Sequence, residues 1–373
     1  MAGIYIHIPF CKQACNYCNF YFSTQQKYVP EVVDAIVAEA ELRKDYLTDN
    51  IETIYFGGGT PSLLNSLQLN KILTTLYHSF KINNEAEITL EANPDDINEL
   101  ALQSWKKIGI NRLSIGVQSF TAVDLQWMNR AHNHTTALQS LQMATQYFDN
   151  ISIDLIYGTP TLSNQQWLSN IKTAIDMGIK HLSCYALTVE PQTALQQLIA
   201  KKKVAAVDAE HQAKHFELLI KILFANGYEQ YEISNFAKAN FRSKHNSSYW
   251  KGKSYIGLGP SAHSYNGTSR QWNINNNALY IKSIQNKIIP AEIEILTKIQ
   301  QQNELVMVGL RTAEGINLNQ FKNRFGVTQL DNLLHQAQVY IDKHLAIIEF
   351  NFLKLTNSGK LMADGIAANL FAE

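Results

Sequence analysis

Across the first half of the chain, short apolar runs alternate with longer segments of helical period. β-Branched and aromatic stretches at residues 4–8, 53–56, 87–92, 112–117, 151–156 and 181–187 predict strands. In the first gap between them Val33, Val37, Ala40 and Glu41 follow helical spacing, and the arrangement recurs around 67–80, 101–108, 137–148 and 167–177. Gly109 and Gly178 close two of these gaps, as helix C-terminal glycines do. Six βα units up to about residue 188 predict a parallel sheet, which right-handed crossovers can leave open and doubly wound or curl into a barrel. Polar or glycine-rich residues stand at every strand's C-terminal end: a cysteine loop, Gly57 to Thr60, Glu91, Gln118, Asp154 and Ala186. A barrel gathers those ends around one mouth, so a partial (β/α)6 TIM-like barrel is expected.

The pattern changes beyond Thr188. Residues 208–226 predict a long helix, followed from 228 to about 277 by an aromatic and asparagine-rich tract without clear period, expected to be irregular. A helical stretch over 297–309 leads to two further helical segments (318–325 and 330–344), a hairpin over 345–355, and Thr356 capping a last helix. That order resembles a small winged-helix α+β module. Many such modules bind DNA, but this tail lacks a dense Lys/Arg face, so packing or partner contact is expected of it. The expected organisation is a barrel over residues 1–230, a connecting region over 231–296 and the C-terminal module over 297–373.

The length of 373 residues suits a barrel with an appended module. With 32 basic and 32 acidic side chains there is no global electrostatic footprint for nucleic acid or an anionic membrane, and no nucleic-acid partner is expected. The chain enters strand-like IYIHI without the basic, apolar and small-residue regions of a secretory signal. No stretch comes near the roughly twenty apolar residues of a membrane span. A cytoplasmic protein with reduced thiols is the expectation.

Candidate chemistry begins at Cys11, Cys15 and Cys18, three of the chain's four cysteines, in a loop that Pro9 opens. Thiolates at CxxxCxxC spacing can hold three corners of a 4Fe-4S cube and leave the fourth iron open to the amino and carboxylate groups of S-adenosylmethionine. Two other readings stay open: a Cys3His zinc site completed by His7, and a disulfide that would leave an odd thiol. GGGTP at 57–61 lets backbone approach a ligand closely, although a tight turn would use the same residues. It is neither a P-loop nor GxGxxG. Glu91, Gln118, Arg130 and Asp154 would converge on a nucleoside-type ligand at a barrel mouth; singly, each suits a solvated or capping position. In HNSSYW, His245 is either an axial haem ligand flanked by Tyr249 and Trp250, or a hydrogen-bonded histidine among packed aromatics. His263 has the same two readings, whereas His78, His181 and His335 are expected at surface or helix positions.

The CxxxCxxC loop resembles the signature of the radical SAM superfamily. YIHIPFCKQACNYCNF, FGGGTPSLL, EANPD, RLSIGVQSF, DLIYGTP, TVEP, HNSSYW and YIGLGPSAHS, in this order, resemble the HemW-type haem chaperones, a group within the oxygen-independent coproporphyrinogen III oxidase-like family. The resemblance implies cluster ligation by Cys11, Cys15 and Cys18. It implies S-adenosylmethionine contacts at Tyr5, Tyr17, Gly58, Gly59, Thr60, Glu91, Gln118, Arg130, Asp154 and Ala186, and haem at His245. It further implies delivery of haem to an apo-haemoprotein, or to a membrane-associated haem protein. The alternative is a radical SAM oxidoreductase of porphyrin biosynthesis that decarboxylates coproporphyrinogen III. Two departures speak against it: Phe20 stands where the oxidases' CxxxCxxCxC carries its last cysteine, and only three residues precede Ile4 where the oxidases carry a long segment.

Overall fold

A computed structural model describes residues 2–373. Strands β1 (Ala2–Ile8), β2 (Ile51–Gly58), β3 (Ile82–Ala92), β4 (Arg112–Gln118), β5 (Ile151–Tyr157) and β6 (His181–Ala186) pair in parallel in chain order. Helices over Val29–Leu42, Ser66–Ser79, Glu99–Lys107, His134–Tyr147 and Asn164–Asp176 connect them, giving the TIM-like α/β fold expected of the repeated βα pattern. Local signals set the helix starts: Asn65 with Gln68 and Ser163 with Gln166 form capping boxes that satisfy otherwise unpaired N–H groups.

Each strand has two unlike faces. Ile4, Ile6 and Ile8 of β1, Ile54 and Phe56 of β2, and Leu113, Ile115 and Val117 of β4 are buried with the helices in one apolar core. Alternate positions face the other way: Tyr5 and His7, Thr53 and Tyr55, Glu87, Thr89 and Glu91, Arg112 and Ser114, Ser152 and Asp154, His181 and Ser183. Parallel sheets buried on both faces normally carry apolar side chains on both. Here the inner face is polar along the strands, not only at their ends. Such a face is tolerable only where its groups are hydrogen-bonded. Ser152 Oγ and His181 Nδ1 are 2.6 Å apart, and His181 Nε2 lies 2.7 Å from the Tyr231 hydroxyl. His181 therefore departs from expectation: it opens β6 and is fully buried, because period-2 alternation turns it inward.

The tract expected to be irregular is ordered and extends the sheet at both edges. It contains β7 (Glu229–Glu232), β8 (Asn235–Ala237), a helix over Lys244–Trp250, β9 (Tyr255–Leu258), β10 (His263–Tyr265) and β11 (Ser269–Asn273); β12 (Ala291–Ile295) follows. The order in the 12-stranded sheet is β12-β11-β10-β9-β1-β2-β3-β4-β5-β6-β8-β7. β9 joins β1 in parallel, and β8 joins β6 antiparallel. These strands are three to five residues long, too short to show a clear period, and β8 and β9 reach the barrel only through the distant strands β6 and β1.

The C-terminal module has its own apolar core, including Val306, Phe321, Leu333, Leu353 and Ile366. Its helices (Lys298–Leu310, Leu318–Phe325, Val327–Asp342) surround a three-stranded sheet, β13 (Ile316–Asn317), β14 (Ala346–Glu349) and β15 (Phe352–Leu355), in the order β13-β15-β14. The β14–β15 hairpin and the Thr356 cap lie where the sequence puts them; the short β13 was not anticipated. Arg311 ties the module to the barrel edge by pairing with buried Glu232 at 3.1 Å.

Candidate functional site

The cysteine loop leaves the C-terminal end of β1 and is held by backbone as much as by side chains. Cys11 N–H donates to Ser23 O at 3.1 Å, and Ser23 N–H donates back to Pro9 O at 2.9 Å. The loop is stitched to the segment after β4: Asn16 N–H donates to Met128 O, Asn16 Nδ2 to Trp127 O at 2.9 Å, and Asn129 Nδ2 to Ala14 O at 2.8 Å. Asn129 holds a positive φ of 57°, which asparagine tolerates better than most residues. All three loop thiols are free and half-buried. Burial pushes the Cys11 thiol up to about 11 and raises Cys18 as well, so positive charge at this mouth is needed to hold thiolates. Arg130 supplies some of it, donating from Nη1 to Cys15 Sγ at 3.3 Å and from Nη2 to Asn93 Oδ1 and Gly116 O, both at 2.8 Å.

The glycine segment at the end of β2 packs directly on this loop. A Cβ at Gly59 would lie 2.6 Å from Phe10 O, and one at Gly58, whose φ is +110°, would lie 2.7 Å from the His7 ring. Gly59 N–H donates to Ile8 O at 2.9 Å and Thr60 N–H to Phe10 O at 2.7 Å. The missing side chains thus let the end of β2 and the residues after it close against β1 and the start of the cysteine loop. His7 is buried; its Nε2 lies 3.1 Å from Tyr21 O and its Nδ1 3.2 Å from the Tyr5 hydroxyl. Both ring nitrogens therefore have hydrogen-bond partners, and a Cys3His zinc site would have to displace one of them.

Glu91 ends β3 beside these glycines. It accepts from the Tyr55 hydroxyl at 2.7 Å and from Gly58 N–H at 3.2 Å, yet burial lifts its carboxyl to about 8. Asp154 on β5 is likewise raised by burial, to about 6, with Arg112 and Arg130 opposing the shift. Gln118 ends β4 with a positive φ of 67°, and Ala186 ends β6 in an exposed position. Tyr5 lies inside the barrel, its ring 6.1 Å from Tyr55 and 6.4 Å from His245. Tyr17 is half-buried against Leu125, Met128, Leu187 and Leu195. The structure thus gathers Glu91, Asp154, Arg130 and the cysteine loop at one mouth, as their strand-end positions imply.

His245 lies elsewhere, on the short Lys244–Trp250 helix against the inner ends of β1–β3. Its ring is buried, Nδ1 is 2.8 Å from Thr53 Oγ1, Nε2 is 2.8 Å from the Tyr249 hydroxyl, and its N–H donates to Glu87 Oε1 at 3.1 Å. His263 is exposed on β10. Residues that matter to these sites but escaped the sequence reading include Asn93, which donates to Thr60 Oγ1 at 3.1 Å and accepts from Arg130, and Tyr55. Asn93 stands two residues after Glu91, a spacing that could have placed it on the same face.

Fold and family matches together define a radical SAM protein with an appended C-terminal module of the HemN type. The chain matches the radical SAM superfamily over residues 5–174 and the HemN C-terminal domain over residues 296–362. In structure it is similar over its full length to coproporphyrinogen III oxidase (HemN) from Escherichia coli, with a TM-score of 0.86, 90% of that chain covered and 22% identity, a likeness of fold. It is 35% identical to a Bacillus subtilis protein named heme chaperone HemW, covering 100% of both chains, and 32% identical to the Mycobacterium tuberculosis protein of that name over 99% of this chain and 94% of the relative. The chain belongs to the HemW family.

Proposed function

We propose that this protein is a haem carrier. In this reading it holds a 4Fe-4S cluster on Cys11, Cys15 and Cys18, binds S-adenosylmethionine at the barrel mouth, takes up haem beside the Lys244–Trp250 helix, and hands it to apo-haemoproteins, membrane-associated ones included. The observation that carries the reading is the braced thiol loop facing Arg130 and Glu91 at one mouth, combined with full-length similarity to heme chaperones. The donor set fits an anionic cluster, because three thiolates and a neighbouring guanidinium balance charge in a partly buried site. When bound, the cluster supplies an open iron for the ligand's amino and carboxylate groups. Glu91 would accept from an N–H of the ligand's amino group, Asp154 from its ribose hydroxyls, and Tyr5, Tyr17, Gly58, Gly59, Thr60, Gln118 and Ala186 would complete the mouth. No helix among the described residues is long and apolar enough to cross a membrane. Three free thiols suit a reducing compartment, and on that ground we place the protein in the cytoplasm.

The carrier reading predicts that purified protein binds haem with a shifted Soret band, and that with coproporphyrinogen III, reductant and S-adenosylmethionine it forms no protoporphyrinogen. Turnover in that assay without haem uptake would replace the carrier by the oxidase.

A pH dependence follows from Glu91. Burial lifts its carboxyl to about 8, and an N–H donated by the ligand's amino group favours the carboxylate, so binding below that pH is expected to release a proton. S-Adenosylmethionine affinity is therefore expected to rise from pH 6 towards pH 8 and then level off, and Glu91→Gln is expected to weaken binding and flatten that rise. Calorimetric titration in buffers of different ionisation heat reads the released proton directly.

A further inference from the structure

We propose that Tyr249, not His245, meets the haem iron, that the haem lies in the cleft between the barrel and the C-terminal module, and that His245 stands behind Tyr249 as its hydrogen-bond partner. This rests on the carrier reading and adds to it the iron ligand and the place of the macrocycle.

Access separates the two side chains. The cleft, about 870 Å³, runs between the Lys244–Trp250 helix with β9–β11 on one side and the module on the other. Tyr249 and Trp250 line it and His245 does not. His245 is 2% exposed, is held by Thr53, Glu87 and Tyr249, and stacks on Tyr55 at 4.9 Å between ring centroids. Bringing its imidazole to the cleft would break the ring's contacts with Thr53, Tyr249 and Tyr55. The Tyr249 oxygen, by contrast, belongs to a ring that already forms the cleft wall.

The rest of the lining suits a flat, doubly anionic ligand. Tyr249 and Tyr255, 4.6 Å apart, continue into Tyr265 and stand with Trp250 as an aromatic wall. Five cationic side chains line the cleft against two carboxylates, Glu304 and Glu314. Arg242 pairs with Glu229 and Glu314, and Arg270 with Glu294 and Glu304. Among the described residues, Lys251, Lys253 and Arg324 have no carboxylate partner, which leaves cations for two propionates. Trp250 Nε1 is a buried donor with no acceptor. A donor-only N–H left so costs free energy that an arriving carboxylate oxygen would recover.

The ligation chemistry balances without charging the imidazole. Phenolate is an established ligand of haem iron. When the Tyr249 oxygen bonds ferric iron it gives up its one proton, which leaves through the cleft to solvent. Thr53 Oγ1 can donate as well as accept, so the ring can carry its proton on Nε2, donate it to the phenolate and accept from Thr53 at Nδ1. His245 is therefore a positioning residue, and Tyr249 the ligand.

The test uses the full chain loaded with ferric haem, read by absorption, EPR and resonance Raman spectra. Wild type is expected to show iron–phenolate vibrations and a high-spin ferric signal. Tyr249→Phe, which removes one oxygen, is expected to abolish that signature and weaken haem binding at least tenfold. His245→Ala is expected to keep the phenolate signature, with its frequency shifted and haem lost faster. Lys251→Gln with Arg324→Gln is expected to weaken binding several-fold while leaving the coordination spectrum unchanged. Phenolate-free spectra in wild type, indifference to Tyr249→Phe, or loss of iron coordination only in His245→Ala would overturn the assignment while leaving the carrier reading intact. A wild type that takes up no haem would overturn both.

Discussion

Cys15→Ala protein, reconstituted anaerobically with iron and sulfide, is expected to retain almost none of the roughly four irons a cubane cluster would hold. Cys11→Ala and Cys18→Ala should behave alike, because each thiolate would secure its own iron and two remaining corners leave a second iron open to solvent. Cys184→Ser should keep full iron and sulfide. That thiol is buried at 1% exposure on β6, and its N–H donates to Ser234 O, so it belongs to the barrel wall. Iron and sulfide analysis beside EPR of the reduced protein reads all four variants. Stoichiometric zinc with no cluster signal in the parent chain would sink the cluster assignment. Arg130 donates to Cys15 Sγ, so Arg130→Ala is expected to make the cluster more labile without removing a ligand.

Glu39→Ala is expected to destabilise the fold by about 3–5 kcal/mol, the range for leaving a buried charge network without one partner. Glu39 is fully buried on the Val29–Leu42 helix. Its carboxylate accepts from Arg43 Nη1 at 3.0 Å, Gly259 N–H at 2.8 Å, Asn273 Nδ2 at 2.8 Å and the Tyr280 hydroxyl at 2.6 Å. Arg43 in turn donates to Gly257 O and Ser264 Oγ. Removing the carboxylate leaves Arg43 without its counter-charge and takes the Glu39 acceptor from Gly259 N–H and the Tyr280 hydroxyl in a buried site, which unpins β9–β11 from the barrel. The expected result is a lower urea midpoint. Glu39→Gln, which keeps the shape and one acceptor, should recover part of the loss. A midpoint unchanged in Glu39→Ala would mean that the edge strands hold without this hub.

The parts of the molecule legible in the amino-acid order are those governed by neighbours in the chain. The six βα units, the Thr356 cap, the hairpin over residues 345–355 and the cysteine loop all rest on periodicity or on spacing within a few residues, so local chemistry suffices to place them. Glu91, Arg130 and Asp154 were legible as a group for a related reason: strand ends of a parallel barrel must meet, wherever they lie in the chain. Whether any of them touches a ligand is set by distances no local pattern encodes.

What tertiary structure alone decided depends on partners far apart in sequence. Strand β9 pairs with β1 and β8 with β6 across long stretches of the chain, and Glu39 finds its acceptor role only once residues 257–280 fold over it. The same distance hid the surroundings of His245. HNSSYW announces an imidazole and two aromatics, but it is Thr53, brought from β2, that pairs with the buried imidazole, and Glu87, brought from β3, that accepts from the His245 backbone N–H, while Tyr249 and Trp250 line the cleft. A buried side chain can face only one way, and the direction is chosen by the groups that satisfy its polar atoms. For this motif those groups lie about 160 to 190 residues away.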